Sequence, residues 1–147
     1  MTTRRHLLAL TVSSLLLGAC ATAPQGAKQP PIVFVHGNGD SAAIWQSTVW
    51  RFESNGWPSE RLHAIDLPYP LARDDDGKAQ PGRTSTGEHM AYLKAEVEKV
   101  LKSTGANQVV LVANSRGGNA VRNYIQNGGG DQTVSHAVLG EIGRAHV

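Results

Sequence analysis

Ser115 lies at an abrupt change of pattern in the sequence. The apolar run 109–113 leads into this serine, and an amphipathic run that opens with two glycines follows it, in VVLVANSRGGNAVRNYI. A serine at a sharp corner between a buried strand and a helix projects its hydroxyl clear of the sheet. It then lies beside the unpaired N–H groups and positive dipole of the helix, which suit a developing oxyanion. The pattern predicts that Ser115 is a nucleophile.

The neighbours of Ser115 have the sizes that such a corner requires. A strained turn brings backbone segments close together, so the residues two before and two after the serine must be small. Ala113 and Gly117 occupy these positions, and Ala113 carries one methyl group more than the commoner glycine. A second motif, His36-Gly37-Asn38, directly follows an earlier apolar run. Both motifs therefore come at the ends of predicted strands.

Strands and helices alternate around these motifs. Short apolar runs predict strands at 32–35, 62–67, 109–113 and 134–139. Helices are predicted at 41–52, from the capping-box sequence 85–88 to Gly105, and at 117–127, whereas 69–83 reads as a polar loop. This alternation predicts an α/β fold with a parallel sheet. If the third strand pairs with the first, and the second pairs on the other side, both motifs lie at one carboxyl edge.

The stretch 31–139 resembles the α/β-hydrolase superfamily, and more narrowly the small secreted bacterial lipases and esterases with an A-x-S-x-G elbow. The likeness covers the HG loop, the Gly-Trp pair at 56–57, LHAIDL, EVEKVLKSTGA, ANSRGG and YIQNGGGDQTVSHAVLG. It implies that Ser115 accepts the acyl group and that the backbone N–H groups of Asn38 and Arg116 form an oxyanion hole. His36 and Gly37 would support the oxyanion loop. The resemblance implies an ester or lipid substrate, with no metal and no cofactor.

Other polar residues have less specific interpretations. His36 could serve as a general base, but shaping the oxyanion loop is the favoured role. His63 and His136 lie within predicted strands and are expected to pack, and His89 is expected to face water from its helix. The acidic run 74–77 lacks the later glutamate of a calcium-binding loop, so a solvated loop is favoured.

The sequence leaves the acid and the base of a triad unassigned. In hydrolases of this kind the order is serine, then acid, then histidine. Asp66, near the end of the second predicted strand, is a conceivable acid, but it comes before the serine. The candidates after Ser115 follow no suitable later strand: Asp131, His136, Glu141 and His146. Residues 141–147, EIGRAHV, do not resemble the family and match the translation of a sequencing adapter. We therefore expect 32–140 to be a truncated domain, inactive as this chain, with acid and base beyond Val147; a naturally shortened gene is the alternative.

The first residues have the pattern of an export signal. Arg4 and Arg5 precede an apolar stretch at 7–17, and Leu-Gly-Ala leads into Cys20. We expect 1–19 to be a signal peptide, Cys20 to be lipidated, and 20–31 to tether the domain to a membrane of the cell envelope. Export would use the twin-arginine or the general secretory route. The alternative is a plain secretory signal and a secreted protein.

Composition limits the remaining functional classes. The 147 residues allow at most one domain, and 40% hydrophobic with 18% charged residues fit a globular protein. Without Arg4 and Arg5, 12 basic residues face 12 acidic ones. No basic patch with interleaved aromatic residues is present, which argues against nucleic acid as a partner. The predicted function is a serine ester hydrolase; the alternatives are a hydrolase of polyhydroxyalkanoate or other small esters, and a non-catalytic lipoprotein that uses the fold for binding.

Overall fold

The computed structural model of the protein describes residues 29–140. The predicted signal peptide, the lipidation site Cys20, most of the tether and the tail 141–147 lie outside the described residues. Residues 29–140 form an α/β fold with a parallel sheet and flanking helices, as the sequence predicted.

The main sheet of the described chain has four parallel strands, which are β1 (Ile32–Val35), β2 (Leu62–Ile65), β5 (Val109–Ala113) and β6 (Val134–Leu139). Their order across the sheet is β2-β1-β5-β6. The central strand β1 pairs with β2 on one side and β5 on the other, which confirms the predicted neighbours. The strand order therefore reverses between β1 and β5, and the segments that follow these two strands meet at the carboxyl edge.

The helices begin and end at local signals. They are α1 (Gln46–Ser54), α2 (Thr86–Thr104), α3 (Arg116–Asn127) and the short α4 (Gly130–Thr133). The predicted capping box starts α2, because the Glu88 N–H donates to Ser85 Oγ at 3.1 Å and the Ser85 N–H donates to Glu88 Oε2 at 2.7 Å. Gly105 ends the helix with φ 65°. Among the helices of residues 29–140, none has the length and apolar character that a bilayer crossing requires.

The core lies between the sheet and the pair α2 and α3. In β1 and β5, side chains of alternate positions point to this face and are fully buried, as at Val33 and Val35. They pack with apolar residues of the two helices and of β5, among them Leu93, Val97, Leu111, Val121 and Tyr124. Phe34 has the opposite orientation and contacts the rings of Trp45 and Phe52, with centroids 5.6 and 5.9 Å away. Both faces of β1 are thus covered.

Several details differ from the sequence prediction. The expected loop 69–83 contributes to a second, two-stranded sheet, in which β3 (Leu71–Ala72) pairs in parallel with β4 (Arg83–Thr84). The first part of the expected helix 41–52 is a 3₁₀ turn, Ala42–Trp45, which comes before α1. His136 is exposed rather than packed, because both faces of β6 are uncovered around it: residues 135–138 are all exposed.

Candidate active site

Ser115 occupies a strained backbone position. It has φ 48° and ψ −126°, and it is the one non-glycine residue with positive φ among residues 29–140. The strand β5 ends two residues earlier, and α3 begins at the next residue. The Gly117 N–H donates to Asn114 O at 2.9 Å, and the Gly118 N–H donates to Ser115 O at 2.9 Å. These bonds close the corner around the serine.

Two glycines allow the two motifs to meet. A Cβ atom at Gly117 would lie 2.6 Å from His36 O and 2.7 Å from Val35 O, which no side chain could tolerate. A Cβ atom at Gly37 would lie 3.1 Å from Ser115 Cβ and 3.5 Å from Ser115 Oγ. Ala113 is buried and pairs with Val35 in the sheet. The loop after β1 therefore lies against the serine that follows β5.

His36 holds the loop after β1 in place. The side chain is fully buried, and its Nε2 accepts the N–H of Leu67 at 3.2 Å. Since Nε2 accepts, Nδ1 carries the proton and donates to Gly37 O at 2.9 Å. Both ring nitrogens are thus occupied by backbone groups, so this geometry supports loop shaping and leaves no nitrogen to serve Ser115 as a base.

The two candidate oxyanion donors belong to different segments, the loop after β1 and the start of α3. The Arg116 N–H is the first of α3, one of the four that no preceding carbonyl of the helix can accept. Asn38 lies in the exposed loop after β1, where its Oδ1 accepts the N–H of Ala72 at 2.7 Å. The next N–H, that of Gly39, donates to Pro70 O at 3.2 Å. Side-chain and backbone bonds thus fix the loop that carries the Asn38 N–H.

The side chain of Arg116 has contacts that the sequence did not predict. Its Nη1 donates to Pro70 O at 3.1 Å and to Thr84 Oγ1 at 2.9 Å. Its Nη2 donates to Thr84 O at 2.6 Å and to Ser85 O at 3.3 Å. Partial burial lowers the pKa of Arg116, and the charge of Asp76 opposes that change. Three of the four acceptors are backbone carbonyls, so no residue type in the sequence could have indicated them.

The expectation that His89 faces water is wrong. The side chain is 2% exposed, because it lies one turn before Leu93 on the buried stripe of α2. It lines a cavity of about 310 Å³ together with Ala72, Thr86, Arg116, Asn119 and Ala120. Within residues 29–140 its Nε2 has no hydrogen-bond partner. Burial, followed by the charges of Arg116 and His36, lowers the pKa of His89 to about 4, so the ring is neutral at pH 7.

Asp66 and the acidic run 74–77 have structural roles. Asp66 Oδ1 accepts the N–H of Ala42 at 2.7 Å and so anchors the 3₁₀ turn. In the exposed acidic run, Asp75 pairs with Lys78 and Asp74 with Arg83. Across the described part of the chain, no histidine or carboxylate is hydrogen-bonded to Ser115 Oγ, and no cluster of three potential metal ligands occurs.

Comparisons with known proteins identify the family and the fold. Residues 29–145 match the profile of the family described as lipase (class 2). A non-heme haloperoxidase of Rhodococcus erythropolis is 26% identical over 113 residues, covering 76% of this chain and 37% of that protein. The mature form of a Bacillus licheniformis lipase is 24% identical, with a TM-score of 0.57, and 76% of this chain covers 40% of it. An extracellular α/β-hydrolase of a Paenibacillus species is 16% identical, with a TM-score of 0.51, and the match covers 76% of this chain and 40% of that protein. These solved structures establish the α/β-hydrolase fold, and this chain spans less than half the length of each of these three proteins.

Proposed function

The chain belongs to the lipase (class 2) family, and from this premise we propose that it is part of a serine ester hydrolase that works through an acyl-enzyme on Ser115. The observation that carries the proposal is the backbone of Ser115, strained at φ 48° with Gly37 against its hydroxyl. Strain of this kind persists only where the surroundings impose it, and it concentrates at functional sites. A serine held in this way at the carboxyl edge of the sheet fits a nucleophile.

In the proposed reaction, Ser115 Oγ attacks the ester carbonyl while a base takes its proton. The carbonyl oxygen becomes an oxyanion, which accepts hydrogen bonds from the N–H groups of Asn38 and Arg116. Collapse of this intermediate leaves an ester between the acyl group and Ser115, and the alcohol departs with the proton. Water then attacks the acyl-enzyme and releases the acid. Acyl transfer of this type uses no metal and no organic cofactor.

We place the acid and the base of the triad outside residues 29–140. His36 has both ring nitrogens occupied, and Asp66 is committed to the 3₁₀ turn. The haloperoxidase and the Bacillus lipase are also more than twice as long as the part that this chain matches. A complete enzyme with this domain would therefore supply further strands, and the histidine and the acid would follow them.

The first test removes the nucleophile from the full-length protein that contains this chain. Ser115→Ala is expected to abolish turnover of p-nitrophenyl butyrate, since loss of a triad serine costs on the order of 10⁶ in rate. Circular dichroism should remain that of the wild type. Ser103→Ala is the matched control, because this hydroxyl only donates to Val100 O within α2. It should retain full activity and labelling by a fluorophosphonate probe.

Two outcomes would contradict the proposal. A Ser115→Ala protein with a tenth of wild-type activity would show that another group is the nucleophile. A folded wild-type protein with no activity toward any ester would support the binding-module alternative instead.

We also propose that the protein is exported and anchored in a membrane through a lipid on Cys20. The support is the order of features in the sequence: a basic start, a short apolar stretch, and Leu-Gly-Ala before the cysteine. In a bacterial host, the wild type should incorporate labelled palmitate and sediment with membranes, and Cys20→Ser should do neither. Replacing Arg4 and Arg5 by lysine should block export only if the twin-arginine route is used. Lipid label on the Cys20→Ser protein would exclude this anchor.

A further inference from the structure

One carbonyl joins the two halves of the candidate site. Pro70 O accepts the N–H of Gly39 at 3.2 Å and also Nη1 of Arg116 at 3.1 Å. Gly39 is the residue after one proposed oxyanion donor, Asn38, and Arg116 is the other donor. Two residues further on, the Ala72 N–H donates to Asn38 Oδ1 at 2.7 Å. The loop after β1 and the corner after β5 are therefore tied to the same short stretch of chain.

Residues 69–85, here called the bridge, are held at both ends by Arg116. Besides Pro70 O near the start, the guanidinium contacts Thr84 Oγ1, Thr84 O and Ser85 O near the end. The Thr84 hydroxyl in turn donates to Tyr69 O at 3.0 Å, which links the two ends directly. A guanidinium presents five donors in a rigid plane, so it can fix several carbonyls at once where an ammonium cannot. Its partial burial makes these bonds stronger than they would be in water.

We propose that Arg116 is a positioning residue for the oxyanion hole. Its backbone N–H is one donor, and its side chain fixes the other donor, the Asn38 N–H, by way of Pro70 O and the bridge. This inference rests on the proposed function, in which these two N–H groups bind the oxyanion. Donors must lie at a fixed distance from the oxygen as charge develops, and loss of one costs about 10²–10³ in kcat. A loosened bridge would weaken the binding of the transition state more than the binding of the ester substrate. We therefore expect kcat to fall while KM changes little.

The test uses the full-length protein and substitutions that spare both backbone donors. Arg116→Met retains the N–H and an unbranched apolar stem but removes the guanidinium, and we expect kcat to fall roughly 10- to 100-fold. KM should stay within about twofold of the wild type. Arg116→Lys keeps the charge without the planar fork and should restore only part of the loss. The affinity for a trifluoromethyl ketone, which mimics the tetrahedral intermediate, should fall in parallel with kcat/KM.

A double substitution distinguishes a shared bridge from two separate defects. Asn38→Ala keeps the backbone N–H but removes the acceptor for Ala72, so it breaks the bridge at its other attachment. If both residues act through the bridge, Asn38→Ala with Arg116→Met should lose about as much as the worse single variant. If kcat of the double variant instead falls by the product of the two single losses, the residues act independently and the proposal is overturned. If Arg116→Met does not fold, Thr84→Val, which removes one acceptor of the guanidinium, provides the same comparison.

Arg61→Met is the matched control outside the bridge. The Arg61 guanidinium also donates to a backbone carbonyl, Gln29 O at 2.9 Å, but Arg61 directly precedes β2 and so lies at the amino edge of the sheet. This variant should lose thermal stability while kcat stays within about twofold of the wild type. Wild-type kcat in Arg116→Met, or an equal loss in Arg61→Met, would show that Arg116 only stabilises the fold. Activity in Ser115→Ala would instead refute the proposed function, which keeps the two failures distinct.

Discussion

At the scale of single residues, the site depends on one unfavourable conformation. A non-glycine residue in a sparsely populated backbone region costs about 1–3 kcal/mol, and Ser115 has such a conformation. The bonds from the Gly117 and Gly118 N–H groups offset part of this cost. Gly117 is required for a separate reason, because the carbonyls of β1 and the loop after it pass where its Cβ would lie. The local sequence thus encodes both the strain and the contacts that maintain it.

His89 gives the described domain a predictable dependence on pH. The folded protein keeps this ring neutral, with a pKa of about 4 that arises mainly from burial and then from the charges of Arg116 and His36. An unfolded chain would protonate the same ring near pH 6.5. As the pH falls from 6.5 to 4, the unfolded state therefore binds the proton first, and the free energy of unfolding decreases. Between pH 6.5 and pH 4, His89 is expected to lower the free energy of unfolding by roughly 3 kcal/mol.

Urea denaturation at a series of pH values measures this contribution. His89→Gln should show a smaller decrease in the free energy of unfolding between pH 7 and pH 4 than the wild type, whatever its stability at pH 7. His136→Gln is the control, since this side chain is exposed, and its pH dependence should match the wild type. An unchanged slope in His89→Gln would mean that the buried ring titrates normally.

At the scale of elements, the features that sequence revealed are those with local causes. Apolar runs predicted the main strands, the capping box predicted the start of α2, and small residues predicted the corner at Ser115. The pair β3 and β4 was missed because two-residue strands have no periodicity; they depend on contacts such as Arg83 Nη1 to Ala72 O at 2.7 Å. The 3₁₀ turn before α1 likewise depends on Asp66, 24 residues away.

The role of the Arg116 side chain shows the same limit at the candidate site. The motif around Ser115 predicted the backbone position of Arg116, because that position depends only on the residues next to Ser115. Its side-chain acceptors lie 31 to 46 residues earlier in the chain and are mostly carbonyls, which every residue carries. His89 was misassigned for a related reason: it extends the stripe of Leu93 and Val97 by one turn, but its polarity suggested exposure. Pattern predicts backbone geometry better than it predicts the partners of polar side chains.

At the scale of the whole molecule, burial decreases from the centre of the sheet to one edge. All four residues of β1 are buried, whereas none of β6 is. Within the described chain β6 pairs with β5 alone, and Val138 is 58% exposed. An exposed apolar strand at an edge is a template for pairing with another chain. In soluble proteins, exposed edge strands commonly carry charged residues, above all lysine, which oppose such pairing.

The 147-residue chain is therefore expected to self-associate through β6. Val138→Lys should lower the associated fraction in sedimentation velocity, because an ammonium group at this position would have to be desolvated when a second strand pairs. Trp50→Lys is the matched control: Trp50 is also apolar and 58% exposed, but it lies on α1. If general surface hydrophobicity drives association, both substitutions should reduce it equally. If the edge strand drives it, only Val138→Lys should do so, and equal association of that variant and the wild type would show that β6 is not the contact.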